Sequence, residues 1–205
     1  MRLAAVDIGS NAARLLITDV IAGLQGVPEF IKVVLVRVPL RLGFDVFDKG
    51  EITSAKVEKI IKTIKSYKLL MDVYEVKHIK ACATSAMRDA INANEIIKKV
   101  KAETGLEIEI ISGDQEASFI YENHVAESLT TDESYLYTDV GGGSTELTFF
   151  SDGKMIFKKS FNIGTIRLLK NQVEEATWDE MKEFIRNKTR GYHHVTCIGS
   201  GGNIN

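Results

Sequence analysis

The sequence predicts an α/β protein made of two halves, and three observations predict it. Short β-branched runs alternate with amphipathic stretches of helical period; a polar stretch, "AESLTTDES", interrupts the chain near residue 127; and the sequence beyond it restarts the pattern of the N-terminus. Alternation of this kind builds sheets covered by helices. The expected domains are residues 1–126 and 127–205.

In chain order, Arg2 to Val6 is a short apolar run, and Arg14 to Val20 and Phe30 to Val38 are rich in β-branched residues, so three strands joined by short turns open the chain. From Thr53 to about Tyr74, Val57, Ile60, Ile61, Ile64 and Leu69 recur at helical spacing among lysines, with Thr53 or Ser54 suited to cap the start. Those lysines read as a solvated face, with a polyanion as the alternative partner. "HIKACAT" then reads as a strand, "NANEIIKKVKAETG" as a helix ending near Gly105, "LEIEI" as a strand and "GDQEASFIYENHV" as a helix. "YLYTDV" opens the strands of the second half.

With 205 residues, 44% hydrophobic and 26% charged, the chain has a globular composition and not a disordered one. Its apolar runs are short and interrupted, and the N-terminus lacks a basic-then-apolar leader, so neither a membrane partner nor secretion is expected and the cytoplasm is the default compartment. Cys82 and Cys197 lie in apolar segments without ligand spacing and read as reduced core thiols. His78, His124, His193 and His194 show no metal spacing either, and Trp178 reads as part of an amphipathic helix. A formal charge of −2 gives no global pull on nucleic acid, so an anionic ligand needs a local basic or backbone-amide site.

The stretch "YTDVGGGSTELTFF" supplies a candidate for one. Three consecutive glycines between apolar runs make either a hairpin turn or a loop shaped around a ligand, since glycine permits positive φ and close backbone approach. Aligned on their aspartates without gaps, "VDIGSNAARLLITD" lies over "TDVGGGSTELTFFS": Asp7 on Asp139, Ile8 on Val140, Gly9 on Gly141 and Leu15 on Leu147. Each copy places an acid at a strand end before a glycine-bearing turn, where free backbone N–H groups can hold phosphate oxygens.

This arrangement resembles the two phosphate loops of the superfamily that includes actin, the heat-shock chaperone ATPases and the sugar kinases. Within it, "DIGSNAARLLI", "ATSAMRDAIN", "ISGDQEASFIY", "DVGGGSTEL" and "NIGTIRLL", in that order, are similar to motifs of the exopolyphosphatase and guanosine pentaphosphate phosphatase (Ppx/GppA) family. The resemblance implies two actin-like (ribonuclease H-like) domains around an interdomain cleft. Family members continue past the "GSGG" motif, so the second domain is expected to be incomplete at Asn205.

The resemblance also implies roles. Asp139 and Glu146, with Asp7 as the first-half counterpart, would handle Mg²⁺ or another divalent cation; without the family, a turn aspartate and an exposed strand glutamate are the better reading. Gly9, Ser10 and Asn11 on one side, and Gly141, Gly142, Gly143, Ser144 and Thr145 on the other, would donate to phosphate oxygens. Arg14 and Arg88 would clamp phosphate or brace the wall as salt bridges. Glu116 would position or deprotonate the attacking water, while Gln115 stands where the family has a first acid.

The implied activity is hydrolysis of a terminal phosphoanhydride, with inorganic polyphosphate and pppGpp as open alternatives. Such families commonly form homodimers. Two rivals stay in view. An ATP-dependent kinase or ATPase would use "IGSGGNIN" as an adenosine loop, and a protein that binds polyphosphate or an alarmone without turnover is kept alive by Gln115.

Overall fold

A computed structural model describes residues 1–23, 27–124 and 133–201. The chain divides into two compact units, Met1–Ile110 and Ile111–Asn205. The polar stretch at the expected 126/127 boundary lies outside the described residues.

The first unit opens with β1 (Arg2–Ile8), β2 (Ala13–Ala22) and β3 (Pro28–Val38), continues through α1 (Gly43–Lys49), α2 (Ser54–Val73), β4 (His78–Ala83), α3 (Ser85–Asp89) and α4 (Ala93–Thr104), and ends in β5 (Glu109–Ile110). Its sheet runs β3-β2-β1-β4-β5, antiparallel through the first three strands and parallel from β1 through β4 to β5. Alternate residues Val6, Ile8, Leu15 and Ile17 are buried, and α2 buries Ile60, Ile64 and Tyr67. Each such aliphatic side chain contributes roughly 1.5–3 kcal/mol on burial. Tyr67 donates its hydroxyl to the Ala13 carbonyl (2.9 Å).

Local rules account for the helix ends. Thr53 occupies the N-cap of α2 in extended conformation, although its hydroxyl donates to Asp45 (2.6 Å) and accepts no bond from the helix N–H groups. Gly105 closes α4 with φ 71°, a left-handed cap that glycine adopts without steric cost. The α2 lysines are largely engaged: Lys56 pairs with Asp45, Lys65 with Glu103 (2.7 Å), and Lys68 donates to the Thr104 carbonyl (2.6 Å).

The second unit comprises α5 (Gly113–His124), β6 (Ser134–Val140), β7 (Thr145–Ser151), β8 (Lys154–Phe161), α6 (Thr165–Leu169), α7 (Glu175–Lys188) and β9 (Val195–Ser200). Its sheet order is β8-β7-β6-β9. Leu136, Leu147, Phe149, Phe157, Phe161 and Ile163 form the core, and α7 covers it with Trp178, Met181, Phe184 and Ile185. Helix α5 packs on β7 and β8. Every residue of β7 is buried.

Two sequence readings change. Cys197 is exposed on β9, at the edge of the sheet, and Cys82 is only half-buried, so neither is a core thiol; both are free. The "LEIEI" strand shortens to Glu109–Ile110, where pairing with β4 is confined to two residues. His78, His193 and His194 are exposed, and the His124 side chain lies outside the described residues. Among the described residues, no helix is long and apolar enough to cross a membrane.

Candidate phosphate and cation site

The glycine turn joins β6 to β7, and its geometry follows from the strands beside it. Asp139 pairs with Glu146 and Val140 with Thr145, and the Gly141 N–H bonds the Ser144 carbonyl (2.9 Å), which closes a tight reversal over Gly142 and Gly143. The first unit repeats this residue for residue. Asp7 pairs with Arg14, Ile8 with Ala13, and the Gly9 N–H bonds the Ala12 carbonyl (3.0 Å). The gapless alignment read from the sequence is therefore a shared strand register.

None of Gly141, Gly142 and Gly143 is among the described glycines with positive φ. Close approach is the requirement that applies here. A Cβ built on Gly164, just before α6, would lie 2.5 Å from backbone atoms of Gly142 and Gly143.

Across the second sheet, register places four polar residues in one row, Ser200 on β9, Asp139 on β6, Glu146 on β7 and Ser160 on β8. Cross-strand partners share a face of the sheet. The outer hydroxyls donate inward: Ser200 to Asp139 Oδ1 (2.9 Å) and Ser160 to Glu146 Oε1 (2.8 Å). Glu146 is only 2% exposed, which replaces the alternative of a solvent-facing strand glutamate.

Glu116 is carried to the same face by α5. A Cβ on Gly113, the first residue of that helix, would lie 2.5 Å from Ser160 Cβ, so the helix start sits directly on the row. Glu116, three residues on, shares that face of the helix. Gln115 holds the helix start together. The Ser112 N–H donates to Gln115 Oε1 (2.8 Å), and the Gln115 N–H donates to Ser112 Oγ (3.1 Å). That reciprocal pair is a capping box, in which glutamine serves as well as glutamate.

Other expected donors divide. Thr145 spends its hydroxyl on the Ile163 carbonyl (2.6 Å), and buried Ser10 shares its hydroxyl with Ser85 (2.8 Å), so both side chains brace the structure around their turns. Asn11 is exposed at the first turn; Gly141 and Gly142 are half-buried, and Gly143 and Ser144 buried. Arg14 lies 3.3 Å from Asp7, matching the salt-bridge alternative, and half-buried Arg88 occupies the last turn of α3.

A divalent cation fits the donor set. Among the described residues no group of three or more His, Cys, Asp or Glu is gathered as a metal cage. Mg²⁺ does not need one, because it keeps several waters and binds through one or two carboxylates plus substrate phosphates. Asp139 and Glu146 are cross-strand partners, so two carboxyl groups lie side by side on one face where a cation could bridge them.

Sequence reasoning missed Ser160, Ser200 and Arg167. Ser160 follows only from register across the sheet, and Ser200, inside the quoted "GSGG", is linked to Asp139 only by that register. Arg167, whose Nε donates to the Gly143 carbonyl (2.7 Å), sits inside the quoted "NIGTIRLL".

Two α/β units with the same glycine hairpin at the same register, one beside a pair of carboxylates, define a protein of the actin-like fold class. The sequence profile of the Ppx/GppA phosphatase family matches residues 21–193, and the chain belongs to that family. It is 34% identical over 199 residues to a bifunctional 3-dehydroquinate synthase/phosphatase of Fusobacterium nucleatum, covering 95% of this chain and 28% of that protein. It is 30% identical over 175 residues to exopolyphosphatase 1 of Mycobacterium tuberculosis, covering 82% of this chain and 48% of that one. The chain thus spans less than half the length of these relatives. The crystal structure of the Aquifex aeolicus Ppx/GppA family member superposes with a TM-score of 0.76 at 32% identity, covering all of this chain (100%) and 67% of that one.

Proposed function

We propose that the chain carries the phosphate-handling part of a phosphoanhydride hydrolase that releases terminal phosphate from inorganic polyphosphate, with pppGpp as a second substrate presenting the same end group. The observation that carries this reading is the row Ser200–Asp139–Glu146–Ser160 with Glu116 on the helix above it, beside a backbone turn able to hold phosphate. Family membership and the similarity to exopolyphosphatase 1 support polyphosphate as the first substrate.

In this reading the turn around Gly141 to Ser144 holds oxygens of the terminal phosphoryl group, and Asp139 and Glu146 hold the divalent cation or its waters. Family resemblance alone extends phosphate contacts to Gly9, Ser10, Asn11, Arg14 and Arg88 and cation handling to Asp7, all in the first unit. When bound, Mg²⁺ supplies positive charge against the transferring phosphoryl group. Glu116 orients a water and accepts its proton as the water oxygen bonds to the terminal phosphorus and the bridging P–O bond breaks. The shortened chain leaves with the bridging oxygen. A homodimer in the cytoplasm belongs to the same proposal and rests on family resemblance alone.

The rival of binding without turnover draws on Gln115 as a lost acid. Its place in the capping box gives that residue a structural role of its own, and this supports the reading in which Glu116 is the base. The test is phosphate release from long-chain polyphosphate and from pppGpp, with Mg²⁺, by the full-length protein and its Glu116→Gln variant. A fall of at least about 100-fold in the variant is expected, the low end of general-base catalysis. Wild-type protein that binds either anion and releases nothing would overturn the proposal.

A further inference from the structure

One short segment meets three successive carbonyls of the glycine turn. The Thr165 N–H donates to Gly141 O (3.0 Å), the Ile166 N–H to Gly142 O (2.8 Å), and the Arg167 Nε–H to Gly143 O (2.7 Å). The approach is as close as backbones allow, since a Cβ on Gly164 would sit 2.5 Å from Gly142 C and O and from Gly143 C. Below the turn, Thr145 anchors the same segment through the Ile163 carbonyl (2.6 Å).

Each of these bonds fixes one peptide plane. The C=O and the following N–H of a trans peptide point in opposite directions. Holding the carbonyls of Gly141, Gly142 and Gly143 toward α6 therefore turns the N–H groups of Gly142, Gly143 and Ser144 away from it. Successive N–H groups turned to one side form an anion-binding concavity. Two of the three donors are backbone; the third is a side chain, so it is the one that a substitution removes cleanly.

We infer that Arg167 is a positioning residue for the phosphate loop: through Gly143 it sets the direction of the Ser144 N–H, and with Thr165 and Ile166 it holds the loop ready before substrate arrives. The inference rests on the reading that this loop receives the transferring phosphoryl group. Arg167 acts through the loop, so its effect is present in the ligand-free protein. A group misplaced by about an ångström costs on the order of 10²-fold in rate.

The test uses the full-length protein, its Arg167→Ala variant, and Arg167→Lys as a second variant that keeps the charge and most of the aliphatic stem should the alanine variant fail to fold. Hydrogen exchange of the Gly141, Thr165 and Ile166 amides, whose bonds hold the loop, is measured without ligand and with inorganic phosphate, alongside kcat and KM for phosphate release from polyphosphate. The expected result is faster exchange at those three amides without ligand, unchanged exchange at Gly9, whose amide closes the other hairpin, and kcat/KM lower by about 10²-fold. Faster loop exchange in the variant, beside a wild-type protein that releases no phosphate, would retain the positioning role and reject the hydrolase reading. Unchanged loop exchange in a folded variant overturns the inference, whether or not activity falls, because the arginine would then act on the ligand and not on the loop.

Discussion

The two hairpins of this chain share a backbone and differ in one row of side chains. In the first unit the row reads Cys82, Asp7, Arg14, Arg37 across β4, β1, β2 and β3. In the second it reads Ser200, Asp139, Glu146, Ser160 across β9, β6, β7 and β8. Asp7 faces a cation 3.3 Å away, and burial above all raises the pKa of its other neighbour, Cys82, keeping it a neutral thiol. Asp139 faces a second carboxylate, and a serine hydroxyl replaces the thiol. Electrostatics thus separates what register makes equivalent: the second row, with two carboxylates and no cationic side chain, suits a cation, whereas in the first the two guanidiniums set against Asp7 make it the weaker cation ligand of the proposal.

The most forceful way to break this comparison is to write the first row into the second. Glu146→Arg leaves Asp139 with an internal cation. Phosphate release is expected to fall by about 10²–10³-fold, the range for losing one electrostatic contact to the transition state. A variant still active within about tenfold would mean that the acidic pair is not the cation site.

Ser160→Ala sharpens the same point with a smaller effect. Its hydroxyl orients Glu146 Oε1, and such outer partners typically contribute about 10–100-fold to metal affinity or activity. A Mg²⁺ titration of activity should show the apparent affinity falling by roughly that factor. An unchanged Mg²⁺ midpoint would leave the serine a packing residue.

Gln115 tests the helix above the row. Gln115→Ala removes half of the capping box and is expected to destabilise by about 1 kcal/mol, lowering Tm by roughly 2–4 °C, while Gln115→Glu keeps the cap and the Tm. Release by the Gln115→Glu protein should stay within about threefold of wild type, because Glu116 already serves as base in the proposed reaction. A large gain would revive the view that this chain lacks an acid.

The smallest effect is expected at Arg14. The guanidinium and Asp7 are both about half exposed, so Arg14→Ala should change stability by less than about 1 kcal/mol in chemical denaturation. If phosphate release nevertheless falls by more than about tenfold, the arginine is engaging substrate and the ion pair is only its resting partner.

What can be read in the sequence tracks how local the cause is. Helices α2, α4 and α5 are legible because their apolar spacing and end signals lie within a few residues, as Gly105 at the end of α4 illustrates. Helices α1 and α3 span only 7 and 5 residues, too few for a period to register. Asp139, Glu146 and the glycine run are visible as a motif, and the shared register follows from a gapless repeat. Ser160 and Ser200 are not visible, since 14 and 61 residues separate them from the carboxylates they orient and only sheet pairing joins them. The capping box is written in the sequence as S-x-x-Q, but comparison with the family's acid hides the local meaning of Gln115.

Gly164 has a use beyond this molecule. Its hydrogen faces loop backbone at a distance that bars any side chain, so packing alone resists drift at that position whether or not a descendant still turns over substrate. Glu116 and Glu146 carry no such steric bar, so only the proposed chemistry would hold them in place. Under that proposal, a relative that keeps the glycine and loses both acids has kept the scaffold and given up the reaction, while one that keeps the acids and replaces the glycine has rebuilt its loop.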